Sequence, residues 1–177
     1  APFLLDTGAS YVLVPVRVAE EAGIHLGPDP RTLPFTTANG VVEQPVVTID
    51  SVELGTARAA QVAAAVSDRI EIGLLGLSFF NRFTYQIDAA AGRVTLFEND
   101  LAESGRIVGG RSEGQWRAEF QALRERLARL AAARDRTPSA HHRRLAGLAE
   151  EGRAVEGQIR DLDADADQAN VPHGWRY

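Results

Sequence analysis

The segment Asp6-Thr7-Gly8-Ala9-Ser10 holds the residues best suited to chemistry in this chain. Apolar Phe3-Leu4-Leu5 leads in and Tyr11-Val12-Leu13-Val14 leads out, so the Asp6 carboxylate is expected on a tight turn between two buried strands. Gly8 lets backbone N–H groups approach that carboxylate and orient it without a full positive charge. A carboxylate held this way suits proton exchange with water, or nucleophilic attack on phosphorus. The phosphorus chemistry usually recruits a lysine and further acidic Mg²⁺ ligands, whereas all 19 basic residues here are arginine. Other candidates carry less. His141 and His142 are adjacent and lack the i,i+4 spacing of a metal pair, and His25 and His173 are isolated. Asp161, Asp163, Asp165 and Asp167 lack the central Gly and terminal Glu of a calcium loop and read as solvated. No metal and no cofactor is expected.

The elements that must position Asp6 follow from local patterns. Pro15 followed by Val16 to Gly23 reads as a short helix with Pro at its start and Gly at its end. Phe35-Thr36-Thr37-Ala38-Asn39-Gly40-Val41-Val42 reads as a hairpin, because Asn-Gly supplies the positive φ that a type I′ turn needs. Pro45 to Leu54 returns from it as a strand, ended by Gly55. Ala57 to Val66 is read as a strand although its alanines favour helix. Thr84–Asp88 and Arg93–Phe97 bracket a closing hairpin. Gly105, Gly109, Gly110 and Gly114 mark a linker, after which Trp116, Phe120, Leu123, Leu127 and Leu130 recur with helical period. A break at Thr137-Pro138-Ser139 precedes a second periodic stretch through Leu145, Leu148, Val155, Ile159 and Leu162. Together these read as an antiparallel helical hairpin whose Arg and Glu faces are expected in water, with Trp116 and Trp175 in packing roles.

Composition narrows the function classes. At 177 residues and 45% hydrophobic content the chain can bury one solid core and a smaller appendage. With no cysteine it has no disulfide, thiolate metal site or cysteine nucleophile. The net charge is −5, and the acidic excess lies before Arg111, with 7 Arg against 13 Asp and Glu. Such a surface does not invite nucleic acid, whose affinity comes mainly from cationic contacts with phosphate.

A second element turns the five-residue loop into a pattern: Ile72-Gly73-Leu74-Leu75-Gly76-Leu77-Ser78-Phe79-Phe80-Asn81-Arg82-Phe83, an apolar-apolar-Gly run. Loop, Asn-Gly hairpin and apolar-Gly run, in that order over roughly the first 100 residues, resemble the single-domain, retropepsin-like aspartic proteases. The resemblance implies a mainly β fold, a retropepsin-like closed barrel or acid-protease half with a hairpin flap, here joined to the C-terminal α-helical hairpin. The implied layout is a protease domain over 1–100, a linker over 101–114, the helical hairpin over 115–168 and a tail over 169–177. It implies peptide hydrolysis by two carboxylates sharing a proton, and Asp50-Ser51 and Asp88-Ala89 lack the Thr-Gly that a second loop demands. The second carboxylate is therefore expected from an identical subunit, making a homodimer that acts on polypeptides. By the same resemblance Asp6, Thr7 and Gly8 form the catalytic set, with Thr7 reaching to the partner's loop. Ala9, Ser10, Thr37, Ala38, Asn39, Gly40, Leu74, Leu75 and Gly76 are implied in substrate binding, the four from Thr37 to Gly40 as the flap tip. Ala9 and Ser10 depart from the hydroxyl residue and the Asp that relatives place there. Family domains have a strand and hairpin before the catalytic loop, while Ala1 lies five residues before Asp6. That implies a fragment, a processed form or a missing first strand, and leaves any membrane contact to such a segment; a bacterial periplasmic or membrane-anchored setting is the family's suggestion. The rival reading is a catalytically silent dimeric module that binds peptides and uses the helical hairpin as an interaction arm.

Overall fold

In the computed structural model, which describes residues 1–37 and 40–177, the N-terminal part is a mixed six-stranded sheet curled into a half-barrel. Strands β1 (Phe3–Leu5), β2 (Val12–Pro15), β3 (Thr32–Thr37), β4 (Gly40–Leu54), β5 (Ala57–Ser67) and β6 (Gly73–Leu75) lie in the order β1-β6-β2-β5-β4-β3. Strand β1 runs parallel to β6 with Leu5 beside Leu75, and β2 runs antiparallel to β6 with Leu13 beside Leu74. The loop from Asp6 to Tyr11 therefore crosses over β6, joining its two neighbours. Helix α1 (Val16–Glu21) follows Pro15, and α2 (Leu77–Phe80) follows β6.

Strand β5 shows why its alanines do not form a helix. It pairs with β2 on one edge and β4 on the other, so it lies inside the sheet, and a separate core covers each of its faces. Val62, Ala64 and Val66 face a core with Val12, Val14, Phe79, Phe80 and Phe83. Ala63 and Ala65 face a second core with Tyr11, Leu33 and Val46. Small side chains let both layers approach, and that packing outweighs the modest helix preference of alanine.

Strands β7 (Phe83–Asp88) and β8 (Arg93–Glu98) form a separate hairpin, and β9 (Ile107–Val108) and β10 (Arg111–Ser112) a smaller one. Two long helices follow, α3 (Glu113–Asp135) and α4 (His142–Gln168), and then a 3₁₀ turn at His173–Trp175. Ser112 caps α3 in a reciprocal box with Gln115. Trp116, Phe120, Leu123, Val155 and Leu162 make a third core between the helices, as their periodicity implied, and Ala166 joins them. Trp116 is fully buried and donates its indole N–H to the Val108 carbonyl at 2.8 Å, while Trp175 packs at the margin of the same core.

The expectation that the polar faces of the hairpin lie in water fails at α3. Glu119 has no exposed surface, because this face of the helix lies on the sheet. The segment before α3 is equally packed: Ile107 and Arg111 are buried, and Gly110, at φ 76°, leaves room for the Gln61 carbonyl that a Cβ would strike. The acidic run of α4 is partly paired as well, Asp165 with Arg31 at 3.0 Å and Asp167 with Arg176 at 2.6 Å.

Candidate active site

Asp6 leaves the end of β1 half-buried, and its carboxylate Oδ1 accepts the Gly8 N–H at 2.9 Å. The loop is held from below along its whole length. Asp6 N–H donates to the Leu75 carbonyl at 3.0 Å, Leu77 N–H to the Ala9 carbonyl at 2.8 Å, and Ser78 N–H to the Ser10 carbonyl at 3.1 Å. The buried Ser78 hydroxyl oxygen accepts from Val12 N–H at 2.8 Å, fixing the start of β2. Gly76 makes this closeness possible, since a Cβ there would run into the carbonyl oxygens of Tyr11 and Ala9.

A cleft of about 670 Å³ opens beside Asp6. Gly8, Ala9, Ser10, Tyr11, Leu13 and Leu74 form its floor, and Leu33 to Thr37 with Val42 and Gln44 come from the β3–β4 hairpin. Ala118 and Ala122 of α3 complete it. Asp6 is the one carboxylate among the described residues that line this cleft, and among the described ion pairs none includes it. Of the remaining residues singled out from sequence, Thr7 is exposed at the loop surface. Leu75 is buried in the first core and Gly76 lies against the loop backbone, so both support the loop rather than line the cleft. At the hairpin end the Thr37 hydroxyl donates to the Gly40 carbonyl at 2.8 Å, while Ala38 and Asn39 lie outside the described residues.

Behind the loop sits a buried polar cluster that the sequence did not reveal. The Tyr11 hydroxyl donates to Glu119 Oε1 at 2.7 Å, and Arg111 Nε donates to the same oxygen at 2.7 Å. Arg31 lies 3.7 Å from the other carboxylate oxygen, and Arg111 also donates to Thr48 Oγ1 at 3.2 Å while stacking over Trp116. Burial pushes the Tyr11 phenol well above its ordinary range, and the Glu119 charge adds to this. Burial opposes the charge of Arg111, yet Glu119 and Tyr11 outweigh it and the guanidinium is held above its usual value. Nothing in a helical period separates a paired, buried Glu from a solvated one; the one available signal was Tyr11, an aromatic hydroxyl at the end of the loop, just before an apolar strand.

Residues 1–82 match the family described as gag-polyprotein putative aspartyl protease. Among solved structures, the chain is similar to a retropepsin-like aspartic protease from Rickettsia conorii, with 31% identity over 49% of this chain and 67% of that one and a TM-score of 0.43. No curated protein matches the chain.

Proposed function

Because the chain belongs, through its N-terminal 82 residues, to the retropepsin-like aspartyl protease family, we propose that it is an aspartic endopeptidase that works as a homodimer. The observation that carries this reading is a single carboxylate, held by the Gly8 N–H, at the edge of a cleft that offers no second acid among its described lining residues. Hydrolysis of a peptide bond through paired carboxylates needs one to accept a proton from the attacking water and one, protonated, to hydrogen-bond the scissile carbonyl. An identical subunit supplies the second Asp6 across a two-fold axis, where an isologous contact brings the same loop to itself. Two such carboxylates in contact resist ionising together, so the pair holds one proton between them. In this reading Thr7, which is exposed at the loop surface, hydrogen-bonds the partner's loop. The β3–β4 hairpin acts as the flap over an extended polypeptide, and Ala9, Ser10, Thr37 and Leu74 take part in holding the substrate.

Purified protein incubated with a diverse peptide pool tests the reading. Cleavage is expected, and Asp6→Asn is expected to remove it, a loss of roughly 10²–10⁴-fold for a general acid–base group. Cutting that survives the substitution, or binding without cutting by the unaltered protein, would overturn the enzymatic assignment.

A further inference from the structure

Helix α3 is more than a neighbour of the cleft, because two of its residues line it. Ala118 and Ala122 are spaced i,i+4 and so share one helix face, and both line the cleft that contains Asp6. Ala118 is exposed and Ala122 half-buried against the core of Tyr11, Leu33 and Phe35. Three side-chain hydrogen bonds tie the helix to the loop and the sheet. Gln115 Nε2 donates to the Ser10 carbonyl at 2.9 Å, Tyr11 donates to Glu119 at 2.7 Å, and Arg126 donates to Thr32 Oγ1 at 3.2 Å. These three ties fix α3 to the loop, to the start of β2 and to β3. With α3 tied at these three points, side-chain size at 118 and 122 controls how much of the cleft is filled from the helix side.

We infer that Ala118 and Ala122 are specificity-determining residues: together with Leu13, Leu33, Phe35 and Leu74 they bound a subsite for one large apolar side chain, aromatic or leucine-sized, of an extended polypeptide. This rests on reading the cleft as the proteolytic site. Leu13, Leu33, Phe35 and Leu74, with only alanine on the helix side, present apolar surface that a bulky apolar side chain would cover and a small one would leave in contact with water. Discrimination of this kind comes from pocket volume, and adding several methylenes to the wall removes the room for it.

The test uses the full chain and a pool of synthetic peptides varied at each position among glycine, alanine, valine, leucine, phenylalanine and tryptophan. Cleavage is read by mass spectrometry, and binding of the same peptides is read with Asp6→Asn protein, which holds without cutting. Ala118→Leu and Ala122→Phe are each compared with Gln121→Leu on the exposed side of the same helix. The expected result is that, at one peptide position, preference for leucine, phenylalanine and tryptophan falls about 10-fold or more in the two cleft variants, with smaller residues spared and Gln121→Leu unchanged. The same shift seen in binding alone, with no cutting by the unaltered protein, supports the helix wall and overturns the protease reading. Unaltered preference in Ala118→Leu, whose exposed position tolerates the larger side chain, overturns the helix wall even where Ala122→Phe does not fold. Absence of both cutting and binding overturns both readings.

Discussion

At the scale of single residues, the contact between Tyr11 and Glu119 joins the segment that follows the Asp6 loop to helix α3. Tyr11→Phe removes a hydrogen bond to a buried charge and is expected to cost about 1.5–3 kcal/mol, measured by urea unfolding. Glu119→Ala goes further, leaving Arg111 buried beside an empty acceptor, and should cost about 3–5 kcal/mol. The phenol also gives the protein an alkaline limit. Its folded value lies above the ordinary 10.0, so the fold holds this proton more tightly than the unfolded chain does. That contribution is complete below about pH 10 and is lost as pH rises from there through the folded value. Stability measured upward from about pH 10 should therefore fall, and Tyr11→Phe should flatten the fall.

At the scale of elements, β6 and the turn after it act as the anvil for the Asp6 loop, whose close approach depends on one missing Cβ. Gly76→Ala would press a methyl into the backbone carbonyls of Tyr11 and Ala9, the second of which is held in place by the Leu77 N–H. A loss of about 1–3 kcal/mol or more is expected by thermal unfolding, with peptide cleavage falling further than stability because the loop itself is displaced. Helix α3 has a comparable dependence at its N-terminus. The Gln115 side-chain oxygen accepts from Ser112 N–H at 2.9 Å while its nitrogen donates to Ser10, so one amide both caps the helix and ties it to the loop. Gln115→Ala is expected to lower stability by about 1 kcal/mol and to impair cleavage through looser placement of the loop.

At the scale of the whole molecule, the helical hairpin and the half-barrel share a buried boundary. A chain ending at Asn99 would take Glu119 from Tyr11 and Ala122 from the core around it, and would strip the cleft of its helix wall. Such a chain is expected to unfold at lower denaturant concentration and to bind hydrophobic dye, whereas unchanged stability would show the boundary to be dispensable. The dimer proposal makes its own demand. When unaltered and Asp6→Asn proteins are mixed in equal amounts and allowed to exchange subunits, activity per total protein should fall to about a quarter, since only the unaltered pairs carry both acids. A fall to about half would mean that each subunit works alone.

The amino-acid sequence by itself determined the features that depend on near neighbours: the Asp6 loop and its flanking strands, the return hairpins, the helical period from Trp116 to Leu130, and the family order of loop, hairpin and apolar-Gly strand. Turn chemistry and side-chain periodicity act over a few residues, so they can be read in one dimension. Only the tertiary structure decided that β5 is buried on both faces, that Glu119 is a paired interior acid, and that Ala118 and Ala122 line the same cleft as Asp6. Each of these depends on a partner far away in the chain. A hydrophobic period marks the face of α3 that meets α4; it is silent about the opposite face, where burial is achieved by ion pairing and by small side chains rather than by apolar bulk.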